Sequence, residues 1–254
     1  MIDLNSDLGE GSGAYRLGDD EQILGVVSSA NVACGFHGGD PQVMARTVRT
    51  AAGRGVVLGA HVSYPDRAGF GRRDLDVAPD DLVADVVYQI GALAGIARIA
   101  GSRVRYVKPH GALYNRIAVD EVQARAVVEG IAAYDRSLAL LTLPGSVAMR
   151  LADAAGVPTV AECFADRAYT SDGRLVPRRE PGAVIDDEAA VVARAIQMAT
   201  DGTVRSVDGR TVRVGARSIC LHSDTPGAGR LAGRIRAGLE GAGVVVAPFV
   251  DRLA

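Results

Sequence analysis

The 254-residue sequence has few cysteines, almost no lysine and no apolar leader at its start. Its three cysteines, Cys34, Cys163 and Cys220, are odd in number and widely spaced, which argues against a disulfide framework or a zinc knuckle. The start MIDLNSDLGE lacks the basic residues and apolar run of a signal peptide. We expect no apolar stretch to reach the ~18 residues of a membrane span. The sequence therefore predicts a cytoplasmic protein with no membrane partner.

The charge balance excludes another class of partner. The net charge is −2, so no basic face is large enough to favour nucleic acid or an anionic membrane. Lysine and arginine together number 28, and Lys108 is the only lysine among them. A position that keeps lysine against this arginine background is a candidate for a compact, titratable ammonium group, with chance as the alternative explanation.

Short β-rich runs alternate along the chain with longer helical patterns. The predicted strands are Ile2–Asn5, Ser29–Cys34, Val56–His61, Val104–His110, Leu138–Leu143, Thr159–Cys163, Ser218–His222 and Val244–Ala247. The predicted helices are Pro41–Gly53, Pro79–Ala100, Val119–Tyr134, Ser146–Ala155, Glu188–Thr200 and Gly227–Gly241. Such alternation implies parallel pairing through right-handed crossovers. Seven or eight units predict an α/β fold, a (β/α)7-8 TIM-like barrel, with a doubly wound open sheet as the alternative.

One segment breaks this alternation. Thr203–Val214, with the sequence TVRSVDGRTVRV, is predicted to form a β-hairpin that turns at Asp208 and Gly209. We interpret it as an insertion on the barrel rim. Since the chain has no proline- or serine-rich linker, residues 1–254 are predicted to form a single domain.

Each of the four histidines lies at or just after the end of a predicted strand. His37 follows the second strand, and His61, His110 and His222 end three later strands. In a β/α barrel this end of the strands carries the active site. Single residues of this kind are more often structural, but their joint placement predicts a shared site. Other polar residues at the same level are Asn5, Asp7, Glu10, Asn31, Glu162 and Asp224.

The stretch NVACGFHGGDP, from Asn31 to Pro41, combines several of these signals. Asp40 is the predicted N-cap of a helix that begins at Pro41. The glycines around His37 allow close approach of the backbone to a ligand, and amides at a helix start can bind an anion. From the residues alone, His37 is a candidate for core packing, metal ligation or proton transfer.

Six motifs resemble those of the LamB/YcsF family. They are DLNSDLGE, NVACGFHGGDP, GAHVSYPDRAGFGRR, VKPHGALYN, AECFADRAY with GRLVPRREPGAVI, and SICLHSDTPGA. The resemblance covers nearly the whole chain in order. It implies a distorted barrel related to polysaccharide deacetylases. It also implies the A subunit of a 5-oxoprolinase, which works with the B and C subunits in the ATP-dependent opening of 5-oxoproline to glutamate.

The chain contains no GxxxxGK[ST] phosphate loop. We therefore predict that partner subunits carry most of the nucleotide chemistry, with ATP and its Mg²⁺ as co-substrate of the complex, and that this chain hydrolyses an activated lactam. Such a step needs a base, donors for an oxyanion and an acid for the leaving nitrogen. The candidate catalytic residues are Asp7, His37, His61, Lys108, His110, Glu162 and His222. The candidate substrate-binding residues are Asn5, Glu10, Asn31, Gly35, Arg72, Arg178 and Asp224.

Three alternatives stay open at this point. The first is a metal-dependent deacetylase or amidohydrolase with Asp7, His37 and His61 as ligands, although the H-x-x-x-H pair common in such deacetylases is absent. The second is a non-catalytic member of a complex. The third is a cysteine nucleophile, against which burial as small apolar residues is favoured. The sequence also leaves open a homo-oligomer.

Overall fold

A computed structural model describes residues 1–221 and 227–252 of the chain. The strands are β1 (Asp3–Leu8), β2 (Ser29–Ala33), β3 (Val57–His61), β4 (Val104–Val107), β5 (Ala139–Thr142), β6 (Thr159–Phe164), β7 (Thr203–Arg205), β8 (Thr211–Arg213) and β9 (Ser218–Leu221). Seven of them close into a parallel barrel in the order β1-β2-β3-β4-β5-β6-β9. This confirms the predicted α/β barrel and excludes the open sheet.

Strand β1 closes the barrel because it pairs on both sides. Asn5 lies opposite Ser29 of β2 and opposite Cys220 of β9. On the other side of β9, Ser218 lies opposite Glu162 of β6. Since all seven strands are parallel, their carboxyl ends lie at one mouth of the barrel, which is where the polar residues were predicted to meet.

The predicted eighth strand, Val244–Ala247, is wrong. Val246 forms only an isolated parallel bridge with Ile2, which is flanked by two backbone hydrogen bonds of 2.9 and 3.0 Å. Val245 is 63% exposed, so this segment has no second buried face to hold it in the sheet. β1 is already paired with β2 and β9, and therefore no barrel position is left for another strand.

The helices that surround the barrel begin mostly at capping residues. Asp40 accepts a hydrogen bond of 2.8 Å from the Val43 N–H, and Pro41 starts the helix, which confirms this predicted boundary. Two short helices were missed, because five or six residues show no periodicity. The helices are α1 (Asp20–Leu24), α2 (Pro41–Gly53), α3 (Pro79–Ile99), α4 (Gly111–Arg116), α5 (Glu121–Asp135), α6 (Val147–Ala154), α7 (Glu188–Asp201), α8 (Ala228–Gly241) and a final 3-10 turn (Phe249–Arg252).

Helix α3 is long and apolar enough to cross a membrane by length and composition, contrary to the sequence-based expectation. It has 21 residues, and its most apolar window has a mean hydropathy of 1.5 and is 33% buried. In the structure it packs against α5 and α2 with Leu82, Val86, Ile90 and Leu93 buried on one face. The buried Gln89 side chain accepts from the Ser63 N–H and donates to the Ser63 carbonyl. The helix is therefore built into the outer layer of the barrel.

The segment between α7 and β9 forms a small antiparallel hairpin. Thr203 lies opposite Arg213, and Val204 lies opposite Val212. Five residues, 206–210, connect the two strands, so the turn is longer than the two residues predicted. The Val207 N–H donates a hydrogen bond of 2.9 Å to the Tyr169 carbonyl, which attaches the hairpin to the loop after β6.

The lower part of the barrel is filled by Tyr106 of β4. Its ring lies against Gly59 of β3, and its hydroxyl donates a hydrogen bond of 2.6 Å to Asn31 Oδ1. The Phe249 ring packs edge-on against it, with 5.0 Å between ring centroids. A Cβ atom at Gly59 would lie 2.2 Å from the Tyr106 ring, so only glycine fits this position without a shift of the ring.

We expect the substitution Gly59→Ala to lower the free energy of unfolding by about 2 kcal/mol, because the added methyl group forces Tyr106 away from its packed position. Urea unfolding followed by circular dichroism measures this. Gly53→Ala is the matched control, since a Cβ there meets no atom within 4 Å at the end of α2. Equal stability of the two variants would contradict this account of the barrel interior.

Candidate active site

A cavity of about 590 Å³ opens among the loops that follow the barrel strands. Asp7 near the end of β1, His61 at the end of β3 and Lys108 just after β4 form its inner part. The exposed side chains of Arg72 and Arg178 line its outer part. The cavity thus has a buried, charged floor and a basic mouth, and a volume in the range of small-molecule sites.

Lys108 lies at the centre of the floor and is 2% exposed. Its Nζ is 2.9 Å from Asp7 Oδ1, 3.2 Å from Glu162 Oε2 and 3.2 Å from the Asn5 side-chain oxygen. Burial by itself would lower the pKa of Lys108, but the carboxylates of Asp7 and Glu162 outweigh it and hold the pKa well above its ordinary value. The side chain is therefore a buried ammonium ion.

Asp7 joins the lysine to the histidines. Its Oδ1 accepts hydrogen bonds from Lys108 and, at 2.8 Å, from the Asn31 amide, and its Oδ2 is 3.3 Å from His61 Nε2. Burial alone would raise the pKa of Asp7, but the charges of His61 and Lys108 lower it well below the ordinary value. Asp7 is therefore ionised at neutral pH.

Three histidines and one glutamate form a compact cluster beside this floor, called here the His₃Glu cluster and made of Glu10, His37, His61 and His110. Their ligand-type atoms all lie within 4.8 Å of one another. Glu10 Oε1 is 3.1 Å from His37 Nε2 and 3.4 Å from His110 Nδ1, and His110 Nδ1 is 3.0 Å from His61 Nε2. The structure thus brings three of the four histidines together, as predicted.

The cluster is held from outside by backbone groups and by close ring packing. His61 Nδ1 is 2.9 Å from the Lys108 carbonyl oxygen, and His110 Nε2 is 2.9 Å from the Phe70 carbonyl oxygen. The rings of His37 and His110 stack at 3.7 Å. A Cβ at Gly71 would lie 2.8 Å from both of these side chains, so glycine is required at this position.

Burial sets the protonation of the cluster. It lowers the pKa of His37 and of His110 well below the ordinary value, so that both rings are neutral at pH 7. For His61 the same burial is outweighed by the adjacent carboxylate of Asp7, and the pKa is raised above its ordinary value. Neutral imidazoles are the form of histidine that binds metal ions.

The ligand set proposed from the sequence, Asp7, His37 and His61, needs a correction. Asp7 is directed toward Lys108 as well as His61, whereas Glu10 lies among all three histidines. Glu10 was assigned to substrate binding because it sits in the loop after β1. The turn at Gly9, with a φ of +70°, directs this loop back toward the histidines.

Asn5 and Asn31 lie beneath the floor rather than on the cavity wall. Asn5 donates to Glu162 and to Ser218, at 3.2 and 2.7 Å, and its side-chain oxygen accepts from Asn31 and Lys108. Asn31 donates to Asn5 and Asp7 and accepts from Tyr106. Since the protein itself satisfies both amides, they position the charged groups and are not brought to a substrate.

The remaining predicted residues fall into three groups. Arg72 and Arg178 line the cavity, whereas Glu162 is fully buried behind Lys108. Gly35 is not brought to the cavity, because its N–H donates to the Gly38 carbonyl within the turn after β2. The last two predicted residues, His222 and Asp224, lie outside the described residues.

The three cysteines are buried. Burial raises the pKa of Cys34 to about 12 and the pKa values of Cys163 and Cys220 well above the ordinary value. All three are therefore thiols at neutral pH, which argues against a cysteine nucleophile. The Cys220 sulfur accepts a hydrogen bond of 3.0 Å from Lys108, so it contributes to holding the ammonium group.

Sequence reasoning missed three residues of the site. Tyr114 of α4 and Arg167 line the cavity, and Arg167 is held there by the carbonyl oxygens of Val176 and Ala183. Phe70, with a φ of +55°, places its carbonyl against His110. All three lie inside the quoted motifs, so the motifs were the available signal, but their direction depends on loop geometry.

A closed β/α barrel with buried charges at the carboxyl ends of its strands has the layout of an enzyme active site. The model of the LamB/YcsF family matches residues 2–254, and the chain belongs to this family.

Relatives and solved structures agree with this assignment. A protein of Paracidovorax citrulli, named as the A subunit of 5-oxoprolinase, is 60% identical over 248 residues, which are 98% of this chain and 99% of that protein. A protein of Agrobacterium fabrum, named as the first of its 5-oxoprolinase A subunits, is 58% identical, with 98% of each chain covered. The lactam utilization protein of Thermus thermophilus superposes with a TM-score of 0.94 at 44% identity and covers 98% of this chain and 99% of its own.

The fold extends to deacetylases. A peptidoglycan N-acetylglucosamine deacetylase matches 98% of this chain and 86% of its own, with a TM-score of 0.50 at 12% identity, which shows a common fold alone. The predicted relation of the barrel to polysaccharide deacetylases is thus confirmed.

Proposed function

We propose that this chain is the A subunit of a 5-oxoprolinase and that its cavity opens the lactam ring of 5-oxoproline to give glutamate. The observation that carries the proposal is the buried charged group of Asp7, Lys108 and Glu162 beneath a cavity with exposed arginines. The names of relatives that are 58% and 60% identical, and of the lactam utilization protein, support the choice of a lactam as substrate.

The charge distribution suits a small anionic substrate. 5-Oxoproline carries one carboxylate, and an activated form carries a phosphate as well. Arg72 and Arg178 offer guanidinium groups at the outer part of the cavity, where they can hold either anion. The lactam carbonyl then points inward, to the ammonium group of Lys108.

The floor supplies the groups for water attack on the carbonyl carbon. As the oxygen of water bonds to that carbon, Asp7 accepts a proton from the water and Lys108 stabilises the developing oxyanion. The bond to the ring nitrogen then breaks, and the nitrogen takes up a proton to become the amine of glutamate. Glu162 and Asn5 hold Lys108 in place for this step.

The source of driving force lies outside this cavity in our proposal. The amine and carboxyl of glutamate are held in one molecule, so ring closure competes strongly with opening. Phosphorylation of the lactam oxygen by ATP overcomes this. Because the sequence has no phosphate loop, we assign ATP and its Mg²⁺ largely to the partner B and C subunits.

A purely scaffolding role is less well supported than catalysis. Burying two carboxylates and an ammonium ion carries a desolvation penalty that apolar residues of similar size would avoid. A deacetylase role rests only on a fold shared at 12% identity. The site geometry and the names of the close relatives both favour the lactam reaction.

The direct test is a turnover assay with 5-oxoproline and ATP, run with this chain alone and with its B and C subunits. We expect glutamate only when all three are present. No glutamate from the complete complex, or tight binding of ATP by this chain alone, would contradict the proposed division of roles.

We expect Arg72→Gln to raise KM for 5-oxoproline by about 10-fold and leave kcat nearly unchanged, because a group that binds substrate and transition state equally affects only KM. Steady-state kinetics of the three-subunit complex measure both constants. Arg98→Gln, on the exposed end of α3, is the matched control for loss of one arginine. A fall in kcat with constant KM would assign Arg72 a different role.

A further inference from the structure

We infer that the His₃Glu cluster binds one divalent transition-metal ion at the wall of the cavity. The inference concerns a site distinct from the Mg²⁺ expected with ATP, and it does not depend on the identity of the substrate. It rests on the spacing of the four ligand atoms, on the direction of the imidazole lone pairs and on the buried charge around them.

The spacing fits a four-coordinate ion. Bonds of about 2.0–2.1 Å in a tetrahedron place the ligand atoms about 3.4 Å apart. Glu10 Oε1 lies 3.1, 3.4 and 3.9 Å from the inner nitrogens of His37, His110 and His61, and the last two nitrogens are 3.0 Å apart. These distances lie on both sides of the tetrahedral value, so small side-chain movements complete the coordination.

The lone pairs point toward the centre of the cluster. A carbonyl oxygen only accepts hydrogen bonds, so His61 Nδ1 and His110 Nε2 carry the protons that they donate to Lys108 and Phe70. In the neutral rings the opposite nitrogens then hold lone pairs, and these two nitrogens face each other at 3.0 Å. Two lone pairs at this distance need a cation between them, either a proton or a metal ion. Metal-binding histidines usually donate their outer N–H to such carbonyl groups.

The charge around the cluster favours a divalent cation over a single proton. Asp7, Glu10 and Glu162 bring three carboxyl groups to this region, and Lys108 is the one ammonium group among these described side chains. The guanidinium groups of Arg72 and Arg178 lie toward solvent, where water screens them. A bound divalent ion offsets the excess of buried negative charge.

The ligand types indicate which ions bind. Three imidazoles with one carboxylate suit Zn²⁺ and similar first-row ions, whereas Mg²⁺ and Ca²⁺ prefer oxygen ligands. Glu10, His61 and His110 line the cavity, so the ion lies within reach of a bound substrate. When bound there, it would supply Lewis-acid polarisation of the lactam carbonyl or of a water molecule.

The test uses the full chain, stripped with a chelator and titrated with ZnCl₂ or CoCl₂. We expect one equivalent of zinc by elemental analysis and, with cobalt, the visible absorption of a four-coordinate ion. Glu10→Gln keeps the shape of the side chain and is expected to weaken zinc binding at least 10-fold. His61→Gln and His110→Gln are expected to weaken it at least 100-fold. Tyr114→Phe, on the same cavity wall, is the matched control and keeps wild-type affinity.

Two results would overturn the inference. The first is a folded wild-type chain that binds neither ion at equimolar concentration. The second is binding that is equal in wild type, Glu10→Gln and Tyr114→Phe, because the ion would then lie elsewhere. If the histidine variants fail to fold, the Glu10→Gln and Tyr114→Phe pair still decides the question. Metal content is measured without substrate, so this result is independent of the 5-oxoprolinase assay.

Discussion

Replacing Lys108 with methionine is expected to lower kcat for glutamate formation by about 10³-fold, because the oxyanion loses the ammonium group that stabilises it. Methionine has a similar length and no charge. Lys108→Arg is expected to restore little activity, since a planar guanidinium group does not fit among Asp7, Glu162 and Asn5 at distances of 2.9–3.2 Å. Steady-state kinetics of the three-subunit complex measure the loss.

The single variant also leaves two buried carboxylates without their cation, so it lowers stability as well as activity. The double variant Lys108→Met with Glu162→Gln removes one of these charges and is the matched control. We expect it to recover part of the lost thermal stability and none of the activity. Wild-type kcat in a folded double variant would show that Lys108 only stabilises the fold.

The second large effect concerns Asp3 at the start of β1, below the cavity. Its carboxylate accepts hydrogen bonds from Ser28 and Ser29, at 2.7 and 2.6 Å, and from Ser218. Burial raises the pKa of Asp3 to about 6, from 3.8, although the three hydroxyl groups oppose this. The folded protein therefore holds this proton more tightly than the unfolded chain does.

The sign of the pH dependence follows. Below pH 3.8 Asp3 is protonated in both states, and its contribution to stability is fully present. As the pH rises from 3.8 to about 6, the unfolded chain loses the proton first and this contribution is lost. Over this window the stability of wild type is expected to fall by about 3 kcal/mol relative to that of Asp3→Asn, which has no titrating group at this position.

Urea unfolding of both proteins at several values between pH 4 and pH 7 measures this difference. Taking the difference between two variants cancels the contributions of all other titrating groups. Asp76→Asn, whose side chain is 94% exposed, controls for the loss of a carboxyl group as such. A constant difference between wild type and Asp3→Asn would mean that Asp3 is not shifted by burial.

The barrel was predictable because its signals are local. Each strand is a short apolar run and each helix shows 3.6-residue periodicity or a capping residue such as Asp40, so the seven barrel strands were all expected. Val244–Ala247 shows the limit. Its apolar pattern is the same as that of a strand, and only the closure of β1 against β2 and β9 leaves it without a place in the sheet.

The site was predictable in its members and less so in its grouping. His61 and His110 follow parallel strands, so their proximity follows from the fold alone. Asn5 and Asn31 share the same strand ends, but their amides are consumed by Glu162, Ser218, Asp7 and Tyr106 below the floor. Sequence position does not distinguish a side chain that reaches the cavity from one that is satisfied within the barrel.

By itself, the sequence determined the order of strands and helices, the strand ends where the polar residues lie, and the absence of a phosphate loop. The tertiary structure decided which of those polar groups meet. Glu10 joins His37, His61 and His110 only because the loop after β1 turns at Gly9, and the direction of the lone pairs depends on carbonyl groups of Phe70 and Lys108. Distances of 3.0–3.9 Å between residues up to 100 positions apart arise from closure of the barrel, which no local pattern encodes.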